Sequence, residues 1–208
     1  MADRVVIVMS NDFTSLSAIS FIVNIFTNHQ DKMSMEQQVI LVNEKDEMTG
    51  TAGKMEAHQK GLLHRAFSVF VFNSKGEMLL QQRAINKYHS GGLWTNACCS
   101  HPNPGEEISK SAQKRLKEEM GFEIPVVSSF DFLYKTSFEN GLIEYEFDHV
   151  FVGEYDGPVN YNKEEVMSFC YKTMKDIHDA LKTRPQNFTA WFHLAFPGIE
   201  KWWKEKYS

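Results

Sequence analysis

The sequence predicts a mixed α+β domain, and three observations carry that prediction. Paired apolar runs suited to β-hairpins lie at residues 66–82 and 126–154, one amphipathic helix at 107–120 separates them, and residues 163–183 and 187–206 read as helical. Strands, a central helix, further strands and closing helices differ from the strict alternation of a doubly wound parallel sheet.

Each element has its own signal. Residues 39–42 form a short strand run of Val, Ile, Leu and Val. Residues 66–73 and 77–82 read as strands joined across Ser74-Lys75-Gly76, where Gly supplies the turn. Residues 93–99 read as one further strand. In the stretch 107–120, Ile108, Ala112, Leu116 and Met120 recur at every fourth position, and Gly121 ends the helix. Residues 126–134 and 142–154 pair around Glu139-Asn140-Gly141, because Asn-Gly favours a tight hairpin turn. The final helix carries Trp191, Trp202 and Trp203. Residues 1–37 differ in character, with Met9, Met33 and Met35 and no recognisable motif. They are either an extra strand and helix or an extension, so the domain proper is taken as residues 38–208.

Composition bounds the function. A chain of 208 residues with 42% hydrophobic and 24% charged side chains supports one well-buried domain. The net charge of −5 argues against nucleic acid as a partner, since neutralising phosphates needs a basic surface. Anionic small molecules remain open where a few Lys and Arg converge. The apolar stretch 18–26 contains Asn24 and is too short for a bilayer, which takes about 20 residues. No signal peptide is legible, with Asp3 and Arg4 cancelling. Three cysteines, two adjacent, make no disulfide framework. A reducing, cytoplasmic setting with no membrane partner is expected, as a monomer or weak homodimer.

Three constellations could carry chemistry. His58, His64 and His101 come from separate places, while Glu144 and Glu146 share one face of a predicted strand. Together they offer five ligands for a divalent ion, although scattered surface histidines have the same spacing. Cys98 and Cys99 face opposite ways on a strand, so one of them can reach a pocket. A thiol of ordinary pKa keeps its proton near neutrality and can act as an acid; a free cysteine is otherwise a small buried apolar group. Arg115 and Glu119 share a helix face at i, i+4, with Glu118 beside them, as a surface ion pair would. Lys54, Arg83 and Lys87 add positive charge.

The order of these pieces resembles a known family. Ser100-x5-Glu106-x7-Lys114-Arg115-Leu116-Lys117-Glu118-Glu119-Met120-Gly121-Phe122 resembles a degenerate Nudix box, with Ser100 where Gly is usual and Lys114-Arg115 where Arg-Glu is usual. Around it, Ala57-His58, Leu63-His64-Arg65-Ala66-Phe67-Ser68, Arg83-Ala84, Lys87, Trp94-Thr95-Asn96, Cys99, His101-Pro102, Tyr134, Glu144-Tyr145-Glu146 and Phe188-Thr189-Ala190-Trp191 are similar to type I isopentenyl-diphosphate isomerases. The likeness spans residues 38–200 in order.

The resemblance implies a Nudix-like fold, a mixed β-sheet sandwiched between α-helices, and a shift of a carbon–carbon double bond in a prenyl diphosphate. It implies a tightly bound divalent metal (Mn²⁺, Zn²⁺ or Mg²⁺) on His58, His64, His101, Glu144 and Glu146. It also implies Mg²⁺ with the substrate diphosphate, at Glu119 and the Cys99 carbonyl. Lys54, Arg83, Lys87 and Arg115 would hold the diphosphate, and Trp191 would offer a π-face to a cation. Cys99 and Glu146, helped by Tyr134, would exchange protons with opposite faces of the alkene in a dry pocket. The alternatives are a Nudix hydrolase of a diphosphate-containing substrate and a catalytically silent Nudix-like binding module. Arg115, standing where the hydrolase box carries Glu, and the full proton-transfer set weigh against both.

Overall fold

The computed structural model describes residues 37–207. The N-terminal stretch 1–36, for which the sequence leaves an extra strand and helix or an extension open, lies outside the described residues. In chain order the elements are β1 (Gln38–Val42), β2 (Met48–Gly53), α1 (Lys54–Lys60), β3 (His64–Phe72), β4 (Met78–Arg83), β5 (Trp94–Thr95), β6 (Cys98–Ser100) and α2 (Ile108–Met120). There follow β7 (Val127–Ser137), β8 (Ile143–Glu154), β9 (Val166–Lys172), α3 (Met174–Thr183), a 3-10 turn (Pro185–Asn187) and α4 (Ala190–Tyr207). No helix among the described residues is long and apolar enough to cross a membrane.

The strands join into one mixed sheet in which β3 is the hub. It pairs antiparallel with β1, β4 and β6, and parallel with β8 along its whole length, His64 opposite Glu146 and Phe72 opposite Glu154. The stretch Val69–Phe72 is apolar on both pleat faces because both are covered. Phe67, Val69 and Val71 pack toward Ala112, Leu116 and Met120 of α2, the face read from the fourfold apolar spacing. Phe70 and Phe72, with Val150 and Val152 of β8, pack toward Ile177 of α3 and Phe192, Phe196 and Ile199 of α4.

Alternation along β3 and β8 fixes the site. The pleat face that buries Phe70, Phe72, Val150 and Val152 at one end presents His64, Ser68, Glu144, Glu146 and Asp148 at the other. Two sequence expectations fail. Residues 163–183 are not one helix: residues 166–172 form β9, paired with β4 from Met78 opposite Lys172 to Arg83 opposite Val166. The run Val-Met-Ser-Phe-Cys-Tyr is rich in β-formers, and α3 starts only after Thr173, whose side chain caps the helix by accepting from the Asp176 amide at 3.1 Å. Residues 93–99 are two short strands, not one. Asn96 breaks them, its amide nitrogen donating to the carbonyls of Val69 and Cys98. The strand β2 and helix α1 carry no periodic apolar signal in the sequence.

Helix α2 ends as its sequence requires. Gly121 sits at φ +79, and a Cβ there would stand 2.2 Å from the Asn160 carbonyl oxygen. Only glycine fits both the left-handed backbone and the close approach.

Candidate active site

A cavity of about 460 Å³ opens over the polar end of the β3–β8 face. Of the sequence-nominated residues, Lys54, Arg83, Lys87, Cys99, His101, Arg115, Glu119, Tyr134, Glu144, Glu146 and Trp191 line it. His58 and His64 are fully buried against its wall, within reach of His101 and Glu146.

The cysteines divide as alternation demands. Cys98 pairs with Val69 and enters the core under α2, whereas Cys99 pairs with Ser68 and lines the cavity. Its thiol donates to Asn96 Oδ1 at 3.2 Å and accepts from Trp191 Nε1 at 3.1 Å. Burial, and then the nearby Asp148, push the thiol up to about 12, so it holds its proton. The Arg83 guanidinium covers the Trp191 ring, 5.1 Å from its centroid.

Glu144 and Glu146 project side by side from β8, and Tyr134 of β7 reaches both. Its hydroxyl lies 2.6 Å from Glu146 Oε2 and 3.1 Å from Glu144 Oε2. The pair splits. Burial and the neighbouring Glu146 charge push Glu144 up to about 8. Burial alone would raise Glu146 too, but hydrogen bonds from His101 and His64 hold it well below the usual carboxylate range. Burial and both carboxylates push Tyr134 well above its ordinary value.

The histidines converge on Glu146. His101 Nε2 lies 2.9 Å and His64 Nε2 3.5 Å from Glu146 Oε1, and the two ring nitrogens are 3.2 Å apart. His58 and His64 each turn Nδ1 to a backbone carbonyl, Lys54 O at 2.7 Å and Leu62 O at 2.8 Å. That contact turns Nε2 of each ring toward the cluster. Ligand atoms of His58, His64, His101 and Glu146 all lie within 4.8 Å of one another, and His58 Nε2 is buried without a partner. An orphaned imidazole nitrogen facing two more imidazoles and an ionised carboxylate fits a divalent ion. Burial lowers His58 to about 4 and His101 to about 3, leaving both neutral, as metal ligands must be. Glu144 does not join that foursome; it groups with His58 and His89.

The cations form a second pole. Burial and then the charges of Arg115 and Lys87 lower Lys54, which places these groups within mutual reach. Glu165 neutralises two of them, pairing with Lys87 and lying 3.0 Å from Arg115. Arg115 Nε also lies 2.7 Å from Glu119 Oε1, and Gln81 donates to Glu119 Oε2 at 2.8 Å.

Sequence reasoning missed several members of this site. Asp148 continues the period-two series 144, 146, 148 and is fully buried, accepting from Ser68 Oγ at 2.7 Å. Extending the alternation by one step would have found it. His89 and Glu165 stand in loops with no periodic signal.

Comparisons with known proteins bear on the family and the fold. Residues 62–192 match the NUDIX domain model. The chain is 48% identical over 167 residues to "Isopentenyl-diphosphate Delta-isomerase" of Pectobacterium atrosepticum, covering 80% of this chain and 93% of that protein. It is 50% identical to "Isopentenyl-diphosphate Delta-isomerase 2" of Aromatoleum aromaticum, covering 76% and 83%. Crystal structures of a Deinococcus radiodurans protein (TM-score 0.59, 17% identity, 71% of this chain and 90% of that one) and of the MutT protein of Methanosarcina mazei (0.56, 18%, 70% and 96%) share the fold. Sheet, helix α2 and relatives together place the chain in the isopentenyl-diphosphate Delta-isomerase family, within the NUDIX superfamily.

Proposed function

We propose that this chain interconverts isopentenyl diphosphate and dimethylallyl diphosphate. The observation that carries the proposal is that a protonated thiol, Cys99, and an ionised carboxylate, Glu146, line one cavity whose other pole is cationic.

The reaction adds a proton to the terminal methylene carbon of the substrate and removes one from the carbon two bonds from the diphosphate oxygen. The intervening tertiary cation would be captured by water, so the pocket must be dry. Cys99 and the Glu146–Tyr134 pair each exchange one proton with the hydrocarbon, and because the reaction is reversible each serves as acid in one direction. Tyr134 gives Glu146 a hydroxyl at 2.6 Å through which a proton can pass. Trp191 closes the wall beside Cys99 and orients its sulfur.

Lys54, Arg83, Lys87 and Arg115 hold the diphosphate, whose oxygens replace Glu165 as the acceptor for Lys87 and Arg115. Glu119 stands at that pole as the side chain for a Mg²⁺ that accompanies the substrate. His58, His64, His101, Glu144 and Glu146 would hold the tightly bound ion. When bound, such an ion supplies a fixed positive charge that orients the carboxylates and adjusts their proton affinity.

The test is incubation with Mg²⁺ and isopentenyl diphosphate. An acid-labile allylic diphosphate is the expected product; released phosphate would make the chain a hydrolase, and unchanged substrate a binding module. Cys99→Ala and Glu146→Gln each lower turnover by at least about 10²-fold with smaller changes in substrate affinity. Near-native turnover in either variant overturns its role.

A further inference from the structure

We infer that His89, carried on the loop of residues 84–93 between β4 and β5, is a further protein ligand of the tightly bound divalent ion, beside His58 and Glu144. The inference rests on the metal site proposed above and enlarges its ligand set.

Three atoms carry it. His89 Nε2 lies 3.1 Å from Glu144 Oε1, and ligand atoms of His58, His89 and Glu144 all fall within 4.8 Å of one another. Both imidazoles present an Nε2 that is buried and makes no hydrogen bond. His89 Nε2 is close to the Glu144 oxygen yet not aligned on it as a donor. Two orphaned nitrogens and a carboxylate oxygen facing one point are costly unless something positive occupies that point. His58 belongs to this group and to the His64–His101–Glu146 group, so the two are halves of one shell around a common ion.

The ring is held for this task. His89 is 7% exposed. Its Nδ1 lies 3.3 Å from Ser90 Oγ, which leaves Nε2 as the free nitrogen. The ring stacks on Phe138 from the β7–β8 turn, with centroids 4.6 Å apart at 15°, and the Tyr88 ring meets it edge-on. The loop is itself tied down. Arg83 donates to the His89 carbonyl at 3.3 Å, and Asn140 donates to that of Tyr88 at 2.9 Å. Gly91 lets the loop close on itself, for a Cβ there would stand 2.4 Å from the Ile85 carbonyl oxygen. A ligand on this loop has a consequence for the other pole: Lys87 lies two residues away, so the ion that His89 binds also anchors the loop that offers a cation to the diphosphate.

The test uses the full chain loaded with Mn²⁺, with pulsed electron paramagnetic resonance counting the imidazole nitrogens on the ion. Four are expected, falling to three in His89→Phe, a variant that keeps the ring stacked on Phe138. Competition against a chelator should show Mn²⁺ held about 10- to 100-fold more weakly in that variant, while its melting temperature in excess chelator stays at the native value. Three nitrogens in both proteins with equal Mn²⁺ affinity would overturn the role of His89 and leave the five-ligand site standing. Failure of the native chain to bind Mn²⁺ at all would remove the metal site itself, and His89 with it.

Discussion

Glu144 and Glu146 are two residues apart on one strand, yet their surroundings drive their protons in opposite directions. Glu146 accepts from two imidazoles and stays ionised; Glu144 is pushed up to about 8 by burial and then by the Glu146 charge, against the hydrogen bond from the Tyr134 hydroxyl. A metal ligand must be deprotonated, so an ion that takes Glu144 as a ligand at neutral pH would have to expel its proton. His58, His89 and His101 are already neutral and release none, whereas His64 is lowered by burial but raised overall by the hydrogen bond it gives Glu146. Because the Glu144 pKa is raised, apparent metal affinity climbs with pH up to about 8 and then levels. Calorimetric titration of Mn²⁺ into chelator-treated protein in two buffers of different ionisation enthalpy reads the protons directly. Glu144→Gln should lower the number released at pH 7 by about one. An unchanged count would mean that Glu144 is ionised beforehand or does not ligate. Removing Arg83 tests the other pole: Arg83→Ala should raise the Km for the diphosphate substrate more than it lowers turnover, and a native Km would take Arg83 out of that contact.

Among the elements, α2 builds the cationic pole of the site, since it carries Arg115 and Glu119 while its end is pinned by Gly121 against Asn160. Adjacent to that end the Asn162 amide donates to the Glu119 carbonyl at 2.8 Å. Gly121→Ala therefore pays twice, for a left-handed backbone and for a carbonyl oxygen in the way. A loss of at least about 1–2 kcal/mol is expected from the backbone alone, read as a lower urea midpoint; native stability would mean that the 160–162 segment yields without cost. This helix was legible in the sequence because its fourfold apolar spacing and terminal glycine are local signals. So were the β3–β4 and β7–β8 hairpins, and the sharing of a face by Glu144 and Glu146. What could not be read locally is what depends on partners. Residues 166–172 are a strand because β4 lies open beside them, and β2 exists because it borders β1. His89 reaches Glu144 only because Gly91 folds its loop inward.

Across the whole molecule, the proposed metal site would tie distant segments together. His58 sits on α1, His64 opens β3, His101 follows β6, and Glu144 and Glu146 lie on β8, so the proposed ion would join four stretches that are far apart in sequence. An ion that binds only the folded chain stabilises it by mass action, about 4 kcal/mol at a thousandfold excess over Kd. For a domain of this size that corresponds to a rise of about 8–16 °C in Tm. Chelation at pH 7.5 should therefore lower Tm by that order, and re-addition of metal should restore it. The sign of the pH dependence follows from the shifts. His58, His89 and His101 are depressed to about 4, 3 and 3 from an ordinary 6.5, so the unfolded chain takes up their protons first. Stability of the chelated protein is thus lost as pH falls below about 6.5, with the raised His64 opposing in part. Protonation of Glu144 weakens metal binding over a higher range, as pH falls through about 8. The Tm gap between loaded and chelated protein should accordingly narrow from pH 8 downward, before the chelated protein itself begins to fail. A gap that holds constant from pH 8 to pH 6 would mean that Glu144 takes no part in holding the ion.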